Sequence, residues 1–288
     1  MPGRLFLVGT PIGNLGDVTL RAVETLKSVT RVYAEDTRRT LVLLSHLGIQ
    51  GKKLLSLHAH SSERAIRTAV EILSGGDDVA LVTDAGMPSV SDPGSELVRA
   101  CRAAAIEVVV IPGPSAVTTA VAASGLVDGG FAFLGFLPRK GSKRAEVLAS
   151  IAESRIPTVL FESPHRMHET LVDLEKACGA RSIAICRELT KKFEEVVVAP
   201  LDVVSRPDYR AEWMGEFTLV VSAEERGTQT VDDAIDLDER ARALLARGLS
   251  VREATQELTR QMATSGVKVS KRDVYARVLL AAGSGEEE

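Results

Sequence analysis

Short apolar runs recur through the first two hundred residues, separated by polar or glycine-rich turns and amphipathic stretches, and this alternation restricts what the chain can fold into. Leu5 to Val8, Arg31 to Ala34, Val79 to Val82 and Val108 to Ile111 read as strands. Their apolar residues are largely continuous rather than spaced by two, the pattern of a parallel sheet covered on both faces. Helices are expected between them, over Val18 to Val29, Arg38 to Leu47, Ser62 to Leu73 and Ser95 to Ala105, with Gly48 and Gly75 closing the second and third. Strands alternating with helices predict an α/β domain over residues 1–113. Pro112-Gly113-Pro114 breaks the series. A second one follows, with helices over Ser115 to Ser124, Ser142 to Ala152 and His165 to Ala177, and strands over Phe131 to Leu134, Thr158 to Phe161, Ile183 to Cys186, Val196 to Ala199 and Phe217 to Val221. Its last strands do not alternate with helices, so residues 114–224 predict a second α/β domain with a mixed sheet. Residues 225–235 are polar and aperiodic and read as a linker. Residues 236–288 read as a small helical, helix-turn-helix-like domain, with a capping box at Ser250 to Glu253 and a solvated end at Glu286 to Glu288.

Composition removes several classes of function. Basic minus acidic side chains is 35 − 39 = −4, and 45% of the 288 residues are hydrophobic, enough to bury two cores without covalent staples. Three scattered cysteines, Cys101, Cys178 and Cys186, exclude a disulfide framework and any Cys-x-x-Cys site, and they fit a reducing, cytoplasmic compartment. No apolar run approaches the roughly 20 residues of a membrane span, and no signal-peptide pattern precedes the first strand. His58-x-His60 and His165-x-x-His168 have metal-compatible spacings, but no third ligand clusters with them, so no metal is expected.

Three loops concentrate residues suited to chemistry. VGTPIGNLGD, Val8 to Asp17, joins the first strand to the first helix, where open α/β sheets bind ligands. It is not a P-loop, because no Gly-Lys-Ser/Thr ends it, and Gly9, Gly13 and Gly16 miss the dinucleotide spacing. Glu35-Asp36 stands where the ribose-binding acid of a nicotinamide enzyme would, which keeps that reading open. TDAGMPSVSDPG, Thr83 to Gly94, follows the strand ending at Val82; Asp84 is placed for a ligand and Asp92 for a turn or cap. IPGPSA, Ile111 to Ala116, is a rigid turn whose Ser115 can cap the next helix, with free N–H groups facing a carboxylate or ribose oxygen. A simple interdomain hinge would use the same residues.

Taken together, VGTPIGNLGD, EDTR (Glu35 to Arg38), TDAGMPSVSDPG and IPGPSA resemble the tetrapyrrole-methylase-like class of S-adenosylmethionine-dependent methyltransferases. FESPHR (Phe161 to Arg166) and RELTK (Arg187 to Lys191) are similar to the branch of that class acting on small-subunit ribosomal RNA, and Gly215 to Thr218 fits its late strand. The resemblance covers nearly the whole chain, the helical tail included. It implies two α/β domains with a cofactor cleft between them, S-adenosyl-L-methionine as cosubstrate, and a cytoplasmic homodimer. It also implies methylation of the ribose 2′-hydroxyl of a cytidine in the decoding centre of 16S ribosomal RNA, within the small ribosomal subunit. By the same resemblance Pro11 lines the cleft, and Asp84, Gly86, Ser89 and Val90 contact the ribose and methionine ends. Pro112, Ser115 and Ala116 follow, and Phe161, Glu162 and Thr218 close the adenine side. The alternative is a methyltransferase of the same fold acting on a small tetrapyrrole-like or diphthine-type substrate. A non-catalytic RNA-binding adaptor that keeps the cleft is a further reading.

A ribose hydroxyl is a weak acid, so its methylation calls for a base or an electrostatic helper. Glu188 and Lys191, three apart after a strand, are the candidate catalytic pair, with Glu35 and Asp36 as further candidates. The same pair could be a surface ion pair, or Lys191 could hold a phosphate. Arg38 and Arg39 either grip RNA or cap a helix. Arg139-Lys140, Lys143-Arg144 and Lys191-Lys192 are local basic clusters, and nine basic against six acidic residues lie between Asp236 and Arg277. These suit RNA phosphates on an acidic protein, and equally suit solvated helix faces.

Overall fold

The computed structural model describes residues 1–57, 63–90, 94–223, 231–264 and 271–283. His58, His60, Asp92, linker residues 225–230 and Glu286 to Glu288 lie outside the described residues. The chain forms two compact units, Met1–Glu224 and Glu225–Glu288.

The first unit contains two five-stranded sheets. The first sheet has the order β3-β2-β4-β1-β5, from β1 (Leu5–Val8), β2 (Arg31–Ala34), β3 (Lys53–Ser56), β4 (Val79–Val82) and β5 (Val108–Ile111). Every pairing is parallel. Helices α1 (Leu20–Ser28), α2 (Thr37–His46), α3 (Glu63–Ser74) and α4 (Ser95–Ala103) make the crossovers. The unbroken apolar strands are explained by two cores. Phe6 and Val8 of β1 pack with Leu26 and Leu44, from α1 and α2. Leu5 and Leu7, on the opposite face, pack with Leu73 and Leu97, from α3 and α4.

Beyond β5 come α5 (Ala116–Ser124), β6 (Ala132–Phe136), α6 (Ser142–Ala152), β7 (Thr158–Glu162), α7 (Met167–Cys178), β8 (Ser182–Arg187), β9 (Glu195–Pro200), α8 (Leu201–Val204) and β10 (Phe217–Val221). Gly125 ends α5 in the left-handed conformation, at φ 63°, which glycine adopts without Cβ strain. The second sheet runs β6-β7-β10-β8-β9. It is mixed, as expected: β10 is antiparallel to both β7 and β8, and β6 is parallel to β7. The register sets Thr218 opposite both Phe161 and Cys186, so the start of β10 meets the ends of β7 and β8.

Two elements were not expected from the pattern. The edge strand β3 has only Leu54 and Leu55 as apolar residues, both half-buried, too few to show a period. Helix α8 is a single turn. The second unit holds α9 (Val231–Ala246), α10 (Val251–Thr264) and α11 (Lys271–Gly283) around Leu237, Leu244, Leu258 and Val278. Helix α9 begins inside the segment that reads as a linker. The capping box at Ser250 forms: the Ser250 amide donates to Glu253 at 3.0 Å and the Glu253 amide donates to Ser250 Oγ at 3.4 Å. No helix among the described residues is long and apolar enough to cross a membrane.

Candidate active site

The loops after β1, β4 and β5 are knitted together at the carboxyl edge of the first sheet. A Cβ on Gly9 would lie 2.8 Å from the Gly113 backbone, so only glycine permits that approach. Thr10 and Gly86 exchange backbone hydrogen bonds at 2.9 and 3.1 Å. Beside them lies a cavity of about 330 Å³, at the lower end of the usual ligand-pocket range. Its other wall is the second sheet, where Phe161, Glu162, Cys186 and Thr218 converge by register. Phe136 stands at the rim with its ring centroid 5.6 Å from that of Phe161.

Most of the lining is apolar, and its polar groups are built in. The Glu162 side chain is fully buried; Oε1 accepts from the Ser163 amide at 2.8 Å and Oε2 from the Thr170 hydroxyl at 2.6 Å. Thr170 also receives Arg144, which is paired to Asp173. Burial pushes the Cys186 thiol up to about 11, with Glu194 adding to the effect, so this cavity residue stays protonated at neutral pH. Ser115 begins α5 without a side-chain cap, which leaves first-turn N–H groups available at the cavity. Within the second loop, Thr83 Oγ1 and Ser89 Oγ are buried with no hydrogen-bond partner among the described residues. Ser89, Glu188 and Thr190 are three of the four non-glycine residues with positive φ among those described, and all three lie in the loops around this cavity.

Glu188 and Lys191 do not line the cavity; they flank Leu189, which does, in a socket made by two glycines. A Cβ on Gly13 would lie 2.4 Å from Lys191 Cγ, and one on Gly215 would lie 2.6 Å from Glu188 Cγ. Lys191 Nζ is 2.9 Å from Glu188 Oε1 and 3.0 Å from Glu216 Oε2. Thr190 Oγ1 accepts from the Asn14 amide at 3.1 Å and ties this loop to the first one. Burial raises the Glu188 carboxyl, but hydrogen bonds from Lys191 and the Glu216 amide outweigh it and hold it below the ordinary range. Burial likewise works to lower Lys191, and the two carboxylates outweigh it and raise it. Both groups are therefore charged at neutral pH, and Lys191 has no lone pair with which to act as a base.

Seven of the residues named from the sequence line the cavity: Gly86, Val90, Ser115, Ala116, Phe161, Glu162 and Thr218. Pro11, Asp84, Ser89 and Pro112 do not, Pro11 being buried under its loop and Pro112 exposed. Asp84 instead accepts from the Asp36 amide at 2.9 Å and pairs with Arg39 at 3.5 Å. Asp36 caps α2 and is lowered to about 2 by Arg38, and Glu35 accepts from the Asp84 amide. The EDTR corner thus braces the second loop, with Asp36 and Arg38 engaged in the cap. Of the nineteen lining residues, twelve were not named as site residues from the sequence, among them Ile12, Met87, Phe136 and Glu216. Of these four, Glu216 alone carried a signal, an acidic residue between Gly215 and the start of an apolar strand.

Comparison with known proteins places this architecture. A model of the family described as Tetrapyrrole (Corrin/Porphyrin) Methylases matches residues 4–204, and the chain belongs to that family. Among solved structures, the methyltransferase CobJ superposes with a TM-score of 0.60 at 21% identity, covering 77% of this chain and 94% of its own. The Thermus thermophilus uroporphyrin-III C-methyltransferase, solved with S-adenosyl homocysteine, gives 0.53 at 21% identity over 76% of this chain and 97% of its own. At those identities the likeness establishes the fold. Within the family the chain groups with relatives named Ribosomal RNA small subunit methyltransferase I. It is 39% identical over 276 residues to the one from Halalkalibacterium halodurans, spanning 95% of this chain and 93% of the relative. It is 44% identical over 223 residues to that of Thermotoga maritima, spanning 77% of this chain and all of the relative.

Proposed function

We propose that the protein transfers the methyl group of S-adenosyl-L-methionine to the ribose 2′-hydroxyl of a cytidine in 16S ribosomal RNA, in the decoding centre of the small subunit. The reading is carried by one observation: a largely apolar cavity of about 330 Å³ walled by both sheets, in a chain whose near-full-length relatives bear that enzyme's name. The cosubstrate fits what lines the cavity. Phe161 and Phe136 offer ring faces to a purine, and the first-turn amides of α5 suit a carboxylate or ribose oxygen. The cosubstrate supplies an electrophilic methyl on a sulfonium; the chain's task is to hold the hydroxyl in line with it and keep water out. Glu162, saturated by Thr170 and Ser163, fixes one wall.

The same reading places the enzyme in the cytoplasm as a homodimer. At the sheet edge, β9 leaves Val196 and Val198 exposed, apolar surface that a second copy would cover. S-adenosylhomocysteine should raise the melting temperature and NAD should not. Ribose methylation mapped in 16S RNA from cells with and without the gene should differ at one cytidine. Stabilisation by NAD alone would overturn the proposal in favour of the nicotinamide reading, and stabilisation by S-adenosylhomocysteine with an unchanged methylation map would favour the small-molecule branch of the fold.

A further inference from the structure

Two carboxylates line the cavity, and their oxygens are differently engaged. Both oxygens of Glu162 are held, one by the buried Thr170 hydroxyl and one by the Ser163 amide. Such a saturated carboxylate takes up a new proton only by breaking its network. The acids named from the sequence as bases are not among the residues that line the cavity, and each is engaged elsewhere through at least one oxygen. Glu35 holds the Asp84 amide, Asp36 caps α2, and Glu188, outside the lining, holds Lys191 and the Glu216 amide through the same oxygen, Oε1.

Glu216 differs. Its side chain is 71% exposed at the cavity, with Oε2 3.0 Å from Lys191 Nζ. Its Oε1 has no hydrogen bond to any described residue. Yet its backbone is fixed at both ends: its amide donates to Glu188 Oε1 at 2.9 Å and its carbonyl accepts from the Glu188 amide at 2.9 Å. Lys191, which pairs with it, is pinned by Glu188 and by close packing on Gly13. A carboxylate with one free oxygen thus stands on a rigid mount beside the cavity.

We infer that Glu216 accepts the proton of the substrate hydroxyl and that Lys191 is the positioning residue that orients it. This rests on the methyl-transfer reading above. As the hydroxyl oxygen bonds to the methyl carbon, the carbon–sulfur bond of the sulfonium donor breaks and leaves its electron pair on sulfur. The hydroxyl proton passes to Glu216 Oε1. A carboxylate can take this proton because the hydroxyl becomes strongly acidic only as its oxygen bonds to carbon.

The test uses the full-length protein with small subunits lacking the modification. Glu216→Gln, close in shape and exposed, should lower the single-turnover rate at saturating donor by about 100-fold or more, while S-adenosylhomocysteine affinity by calorimetry stays within about threefold. Glu216→Asp should recover part of the rate. A second readout needs no turnover. Wild type should bind reconstituted subunits more tightly with a 2′-hydroxyl than with a 2′-deoxy target, and Glu216→Ala should abolish that preference. A Glu216→Gln rate within threefold of wild type would overturn the assignment, as would equal losses of donor affinity and rate, or a hydroxyl preference that survives Glu216→Ala. If wild type neither binds S-adenosylhomocysteine nor methylates subunits, the methyl-transfer reading itself falls and takes this assignment with it.

Discussion

Single side chains around the cavity are controlled by charge and burial in opposite ways. Lys191 and Glu188 are largely buried, with side chains 26% and 17% exposed, so their pairing is worth more than a surface ion pair but less than the 3–5 kcal/mol lost when a fully buried pair is broken. Glu188 lies below its ordinary value of 4.5, so its contribution is present above that pH and fades as the pH falls through the folded value. Lys191 lies above 10.5, so its contribution is present below that pH and is lost as the pH rises through the folded value. Lys191→Met should therefore cost about 2 kcal/mol at pH 7, and the cost should shrink below pH 4.5. Urea unfolding of both proteins at pH 7 and pH 4 measures this; a penalty that does not change with pH would mean lost packing, not lost charge. Cys186 is governed by burial instead. A thiolate facing a methyl donor would itself be alkylated, and a thiol held near 11 is not. Iodoacetamide at pH 8 should label Cys186 far more slowly than a free thiol, as mass spectrometry would show.

Between elements, one side-chain chain ties the cavity wall to the helices behind it. Glu162 ends β7, Thr170 sits in α7, and Arg144 comes from α6. Thr170→Val keeps the shape and removes the hydroxyl. It should destabilise the protein by about 2–3 kcal/mol, because a buried carboxylate oxygen and an Arg144 nitrogen each lose a partner. Denaturant unfolding gives the number, and a change below 0.5 kcal/mol would mean the network carries little stability. None of this was legible in the sequence, since Thr170 and Arg144 are 26 residues apart and ordinary as helix residues. What could be read were the elements with strong local signatures: β1, β4 and β5 from continuous apolar runs, α5 from its closing Gly125. Of the named residues that line the cavity, Gly86, Val90 and Ser115 come from loops dense in Gly and Pro, and Phe161, Glu162 and Thr218 from the strands of the second sheet. Ile12, Met87 and Phe136 were missed because an apolar residue facing a cavity has the same local pattern as one facing a core. Pro11 and Asp84 lie off the cavity lining for the converse reason: a loop's composition shows that it is built for close approach, not which of its residues face inward.

At the scale of the whole molecule the two units have separate cores. Leu237, Ala241, Leu258, Val274 and Val278 pack among residues of the tail alone, while the four clusters of Met1–Glu224 contain no residue beyond Val221. All residues lining the cavity lie before position 219. The Thermotoga maritima relative is matched over its full length by 77% of this chain, about the share taken by the first unit. A chain ending at residue 224 should therefore fold cooperatively and bind S-adenosylhomocysteine within about threefold of the full protein, since no residue of the cavity or its supporting network is removed. The tail's nine basic residues between Asp236 and Arg277 would then act on the RNA alone. Affinity for small subunits should fall in the shortened chain, and the slope of log affinity against log salt should become shallower as phosphate contacts are lost. Calorimetry with S-adenosylhomocysteine and subunit binding at two salt concentrations separate the possibilities. Equal loss of both affinities would show that the first unit needs the tail to fold, and an unchanged salt slope would remove the tail from RNA contact.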